Sequence, residues 1–181
     1  MMKWMIRRKL SEFENKYDYD TSYIRELLDL DFKAFRTYMR AASMMNYRRD
    51  VPEIVHYCVG ILVTATEDCG PCTQLGVSMA LERGASPEVL QAVLTNDLAR
   101  MPEDVRLGVR FARAVLAHAP EADALREEIV ARWGPRAAIS LAFAMNAGRL
   151  YPTMKYAMGH GKACLRVQVG ARPVAVVRGA A

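Results

Sequence analysis

Apolar residues along this chain recur mostly at spacings of three and four, the period of a helix with one face turned inward. In residues 20–45, DTSYIRELLDLDFKAFRTYMRAASMM, the positions Ile24, Leu28, Phe32, Phe35 and Met39 share such a face. Residues 53–66, EIVHYCVGILVTAT, are apolar almost without interruption, so periodicity alone does not separate strand from helix. Length does: this run is far longer than a typical strand, and Ile54, Cys58, Ile61 and Ala65 fall at helical spacing. A buried helix is expected there.

Downstream, the boundaries are written in capping residues. GASPEVLQAVLTNDLA places Ser86 as an N-cap and Pro87 at the first helical position, where a missing N–H costs nothing. MPEDVRLGVRFARAVLAHAP repeats the device with Pro102 and two acids, and lines Val105, Val109, Ala112 and Leu116 along one face. EADALREEIVARWGP stops at Gly134-Pro135. AAISLAFAMNAGRLYP is small and apolar nearly all round, as a buried helix would be. Only CLRVQVGARPVAVV alternates like a strand, and Pro173 interrupts it. One strand cannot make a sheet, so a short extended C-terminal tail is expected on an otherwise all-α, single-domain helical bundle.

Composition narrows the classes further. Hydrophobic residues make up 52% and charged residues 25% of 181, a globular profile of single-domain size. The net charge of +5 is spread without a basic stripe interleaved with aromatics, which argues against nucleic acid. No apolar run approaches the ~20 residues that span a bilayer, which argues against a membrane protein. Acidic SEFENKYDYD stands where a signal peptide would need its apolar stretch, so a cytoplasmic location is expected. Four cysteines in a reducing compartment point to catalysis or metal binding.

The chemistry concentrates at DCGPC, residues 68–72. The Cys-Gly-Pro-Cys spacer is that of a thioredoxin, but a thioredoxin needs strands before the motif and a hairpin after it. Both neighbouring segments have helical period and helical caps, so the dithiol is expected at the head of a helix, capped by Asp68 or Thr66. Cys69 then lies at the helix N-terminus and Cys72 one turn along, on nearly the same face. Unpaired N–H groups there favour a thiolate, and the spacing lets the two sulfurs close a disulfide. Such a pair suits a cycle of thiolate attack, sulfenic acid or mixed disulfide, then capture by the second cysteine. A competing use of the cysteines is zinc, for which HGKAC offers His160 and Cys164 four apart.

DCGPCTQLGVSMALERGASPEVLQAVL resembles the alkylhydroperoxidase D / carboxymuconolactone decarboxylase family, whose members carry Cys-x-x-Cys at the head of one helix and a GAS-type opening of the next. The likeness covers roughly residues 50–165, with RLYPTMKYAMGHGKAC similar to a closing helix. It implies a helical N-terminal extension at 1–50, an alkylhydroperoxidase D-like core at 51–165 and a tail at 166–181. It also implies an all-α homo-oligomer that reduces a peroxide or disulfide substrate, with no cofactor and no metal. Electrons would come from a thioredoxin-like or lipoyl-type dithiol. Cys69 and Cys72 carry over as the catalytic residues.

Two positions depart from that pattern. Gly76 stands where a histidine is expected, four residues after Cys72, and Tyr57 where a glutamate is expected, twelve before Cys69. Candidate replacements for this proton relay are Glu67 and His56. Thr73 and Gln74 are polar candidates for substrate contact, and Cys58 is expected to be an inert core thiol. Two other functions stay open on sequence: a helical oligomer using its cysteines for zinc or redox sensing, and a carboxymuconolactone decarboxylase-like enzyme.

Overall fold

A computed structural model describes residues 2–161 and 166–177. The chain is mostly helical: α1 (Met2–Tyr17), α2 (Ser22–Leu30), α3 (Phe32–Ala42), α4 (Glu53–Thr66), α5 (Gly70–Glu82), α6 (Pro87–Thr95), α7 (Glu103–Leu116), α8 (Ala122–Trp133) and α9 (Pro135–Ala157), then β1 (Arg166–Val169) and β2 (Arg172–Ala175). Among the described residues no helix is long and apolar enough to cross a membrane.

The continuous apolar run becomes the central helix α4, in contact with α5, α6, α7 and α9. Because neighbours surround it, it needs no polar face, and even His56 and Thr64 are buried. Two close approaches depend on glycine. A Cβ on Gly108 of α7 would stand 2.5 Å from Val55 Cγ1, and one on Gly148 of α9 would stand 2.8 Å from Val63 Cβ.

Ser86 caps α6 through its side chain, which accepts from Val89 N, and Pro87 opens the helix. Gly134, at φ 88°, ends α8.

The structure corrects four expectations. The segment 20–45 is not one helix: Asp31 turns extended (φ −151°, ψ 110°), ends α2, and its side chain caps α3 by accepting from Lys33 N. The expected extended tail is a hairpin in which β1 pairs antiparallel with β2 and Gln168 lies opposite Pro173. The turn is made by Gly170 at φ 60°. Pro173 is tolerated because Gln168 has its backbone partners elsewhere: its N–H donates to Gln74 Oε1 (2.7 Å) and its carbonyl accepts from Gln74 Nε2 (3.0 Å). Neither Asp68 nor Thr66 caps α5, since Cys69 holds the N-cap position with no side-chain cap and Thr66 Oγ1 donates back to Leu62 O. Finally, α9 is not buried all round: Ile139 and Phe143 are exposed, and the helix runs on through the buried Pro152.

Helices α1–α3 form a layer of their own. Its cluster centres on Tyr19, Tyr23 and Tyr38, packed with Phe13, Ile24 and Leu27 and reaching Leu75 of α5 and Tyr151 of α9.

Candidate active site

The turn from α4 into α5 sets the two cysteines. Asp68 adopts φ 56°, a left-handed conformation that short polar side chains tolerate. Cys69 N–H then donates to Thr64 O (3.1 Å), and Cys69 O accepts from Thr73 N (2.9 Å) to start the helix. Pro71 lies in the first turn, where its missing N–H is no loss. The pair stands with Cα atoms 5.3 Å apart and is joined as a disulfide. Both sulfurs are covered, with Cys69 0% and Cys72 5% exposed.

Cys72 forms part of the wall of a cavity of about 730 Å³ between the α1–α3 layer and helices α4 and α5. Much of the lining is apolar, including Leu10, Phe13, Ile24, Phe35, Leu75 and Met79. Lys9, Arg48, Glu82 and Arg83 also border it. The polar groups beside the sulfur are phenols. Tyr19 Oη lies 3.8 Å from Cys72 Sγ and 3.4 Å from Tyr23 Oη, which is 3.1 Å from Tyr38 Oη. Burial raises all three phenol pKa values above the ordinary tyrosine range. The buried Lys155 ammonium of α9 sits 4.3 Å from the Tyr19 ring centroid and 5.2 Å from that of Tyr23.

His56 lines the same cavity. Its side chain is fully buried, and neither ring nitrogen makes a well-formed hydrogen bond, the Tyr47 backbone being near enough only to act weakly on the ring. Burial, then the charge of Arg48, lowers its pKa from 6.5 to about 4, against a weaker opposing effect of the Tyr47 backbone. The ring is therefore neutral at pH 7 and offers the cavity one donor and one acceptor. The fold thus brings His56 and Cys72 to one chamber.

It does not bring Glu67 there. That carboxylate, at the end of α4, accepts from Arg149 Nε (2.8 Å) and is absent from the cavity lining. The two positions that depart from the resemblance, Tyr57 and Gly76, both border the cavity. Tyr57 Oη accepts from Arg48 Nη1 (3.2 Å), and a Cβ on Gly76 would meet Ile61 Cγ1 at 2.9 Å. Thr73 is buried, its hydroxyl donating to Cys69 O (2.9 Å) and lying 3.2 Å from Thr64 Oγ1, while Gln74 holds the hairpin. Both polar candidates therefore serve the architecture.

Cys58 is buried and unpaired, and burial pushes its thiol up to about 12. His160 Nε2 pairs with Glu26 Oε2 (2.8 Å), and Cys164 lies outside the described residues. Among the described residues no group of three or more His, Cys, Asp or Glu is placed to hold a metal ion.

Sequence reasoning missed the tyrosines and Lys155. Tyr19, just before α2, and Tyr23, in its first turn, are four apart, but nothing in that spacing points to a cysteine 53 residues from Tyr19. The chain matches no family model, no curated protein and no solved structure.

Proposed function

We propose that this chain is a thiol-dependent oxidoreductase in which Cys69 and Cys72 reduce an apolar hydroperoxide or disulfide. One observation carries the reading: of two cysteines a helical turn apart at the head of α5, Cys72 forms part of the wall of a cavity of about 730 Å³. That volume is within the range of small-molecule sites. Its apolar lining favours a substrate with a hydrocarbon body over hydrogen peroxide.

The helix N-terminus favours the Cys72 thiolate. With a hydroperoxide, the thiolate attacks the terminal oxygen, the O–O bond breaks, and the departing alkoxide takes a proton to leave as an alcohol. Cys72 is then a sulfenic acid. The Cys69 sulfur attacks it, the S–S bond forms, and water leaves. Dithiol and hydroperoxide have become disulfide, alcohol and water. A thioredoxin-like or lipoyl-type dithiol restores the pair by thiol–disulfide exchange. An alkylhydroperoxidase D-like, homo-oligomeric helical bundle is the type of protein this reading fits.

The test is turnover of cumene hydroperoxide and of an aromatic disulfide with a dithiol donor, in the parent chain and in Cys69→Ser and Cys72→Ser. Both variants should lose turnover, and cumene hydroperoxide should outrun hydrogen peroxide in kcat/KM. Undiminished turnover in both variants sinks the reading.

A further inference from the structure

We propose that Tyr19 is the hydrogen-bond donor that stabilises Cys72 as a thiolate, at the end of a hydroxyl chain running from Tyr38 through Tyr23. The proposal rests on the redox reading of Cys69 and Cys72. It supplies what that reading lacks, a protein group beside the reacting sulfur where Tyr57 and Gly76 replace the expected acid and histidine.

Successive contacts of 3.1, 3.4 and 3.8 Å join Tyr38, Tyr23, Tyr19 and the sulfur; either atom of each contact can donate, and a phenol donates one proton. If Tyr38 donates to Tyr23 and Tyr23 to Tyr19, the Tyr19 hydroxyl is left to donate to sulfur. A disulfide sulfur is a weak acceptor and a thiolate a strong one, so this contact gains most when the pair is reduced. All three hydroxyls belong to buried residues, where a hydrogen bond to a charged acceptor is strengthened by the low local dielectric. Because burial raises the phenols above their ordinary range, Tyr19 stays protonated while a thiol titrates and remains a donor.

Its position is fixed from two sides. The Tyr19 ring meets Phe13 edge-on at 5.9 Å, and Lys155 Nζ lies 4.3 Å from its centroid. A cation against the ring draws electron density from the phenol and makes its O–H the better donor. The titratable and charged groups around the site are Cys69 beside it, Asp20 next to Tyr19, Tyr23 and Tyr38 from the N-terminal layer, Tyr151 and Lys155 from α9, and His56 from α4, with Lys9, Arg48, Glu82 and Arg83 on the rim of the cavity. The step itself is an acid dissociation: the S–H proton leaves to solvent, and the Tyr19 O–H turns onto the sulfur.

The experiment uses the full chain with Cys69→Ser, so that Cys72 titrates alone. Its alkylation by iodoacetamide is followed against pH, with Cys72 resolved from the other thiols by peptide mass spectrometry. Tyr19→Phe removes only the hydroxyl. It should raise the midpoint by about one pH unit, an about tenfold smaller thiolate fraction at a pH below both midpoints. Tyr23→Phe, which cuts the chain one link back, should raise it by less. A Tyr19→Phe midpoint equal to the parent's, in a variant with parental circular dichroism, overturns the proposal. Should Tyr19→Phe fail to fold, an unmoved midpoint in Tyr23→Phe does the same. The titration needs no turnover, so the two readings fail separately. A moved midpoint in a protein that reduces nothing retires the oxidoreductase and keeps Tyr19. An unmoved midpoint in an active enzyme retires Tyr19 alone.

Discussion

His56 makes stability depend on pH in a way that can be worked out beforehand. Its pKa falls from 6.5 to about 4 on folding, chiefly through burial. Between those values the unfolded chain binds a proton that the folded chain refuses, so stability rises with pH across the window. The contribution is present in full above about pH 6.5 and is lost as pH falls toward 4. Complete loss corresponds to about 3 kcal/mol, and the part lost between pH 7.5 and pH 4.5 is about 2.5 kcal/mol. Other carboxylates and histidines titrate over the same range, so the quantity to measure is a difference. Urea unfolding of the parent and of His56→Leu, each at several pH values, gives two curves of free energy against pH. The parent should fall more steeply, by about 2.5 kcal/mol over that interval, and the variant should lack this component. Parallel curves for the two proteins would refute the reasoning.

The close approach of α7 to α4 gives a test of opposite sign. Gly108→Ala should improve helix propensity by about 1 kcal/mol, yet its Cβ would meet Val55 Cγ1 at 2.5 Å. Overpacking of this kind costs about 1–3 kcal/mol, so the variant should show a lower urea midpoint, and a raised one would contradict the packing described. At the hairpin, Gln74→Ala removes both hydrogen bonds to the Gln168 backbone. It should cost about 1–2 kcal/mol and speed hydrogen exchange at the Gln168 amide, whereas unchanged exchange would mean that β1 does not depend on α5.

Local chemistry was the part of the fold legible in the sequence. Ser86, Pro87 and Gly134 act on residues within a turn of themselves, and the length of the 53–66 run excluded a strand without any knowledge of its neighbours. What failed was decided at a distance. Asp31 breaks a periodic segment because its carboxylate can cap the next helix, a choice the apolar spacing does not encode. Pro173 argued against a paired strand only until Gln74, 94 residues from Gln168, supplied the missing partners. The site divides in the same way. Cys69, Cys72 and the burial of His56 follow from one contiguous stretch. The phenol that meets Cys72, Tyr19, arrives from a separate layer, and Glu67, two residues from Cys69, is drawn away by Arg149.

The central position of α4 bears on how the chain is made. Its apolar surface emerges from the ribosome before α9, one of the helices that cover it, which begins at Pro135, some 70 residues after α4 ends. At roughly 5–20 residues per second, several seconds pass before that cover exists. During that interval the nascent chain presents one of its most hydrophobic segments with its core unfinished. Chaperone capture or premature association would be concentrated there, and a translational pause placed between α4 and α9 would prolong the exposure.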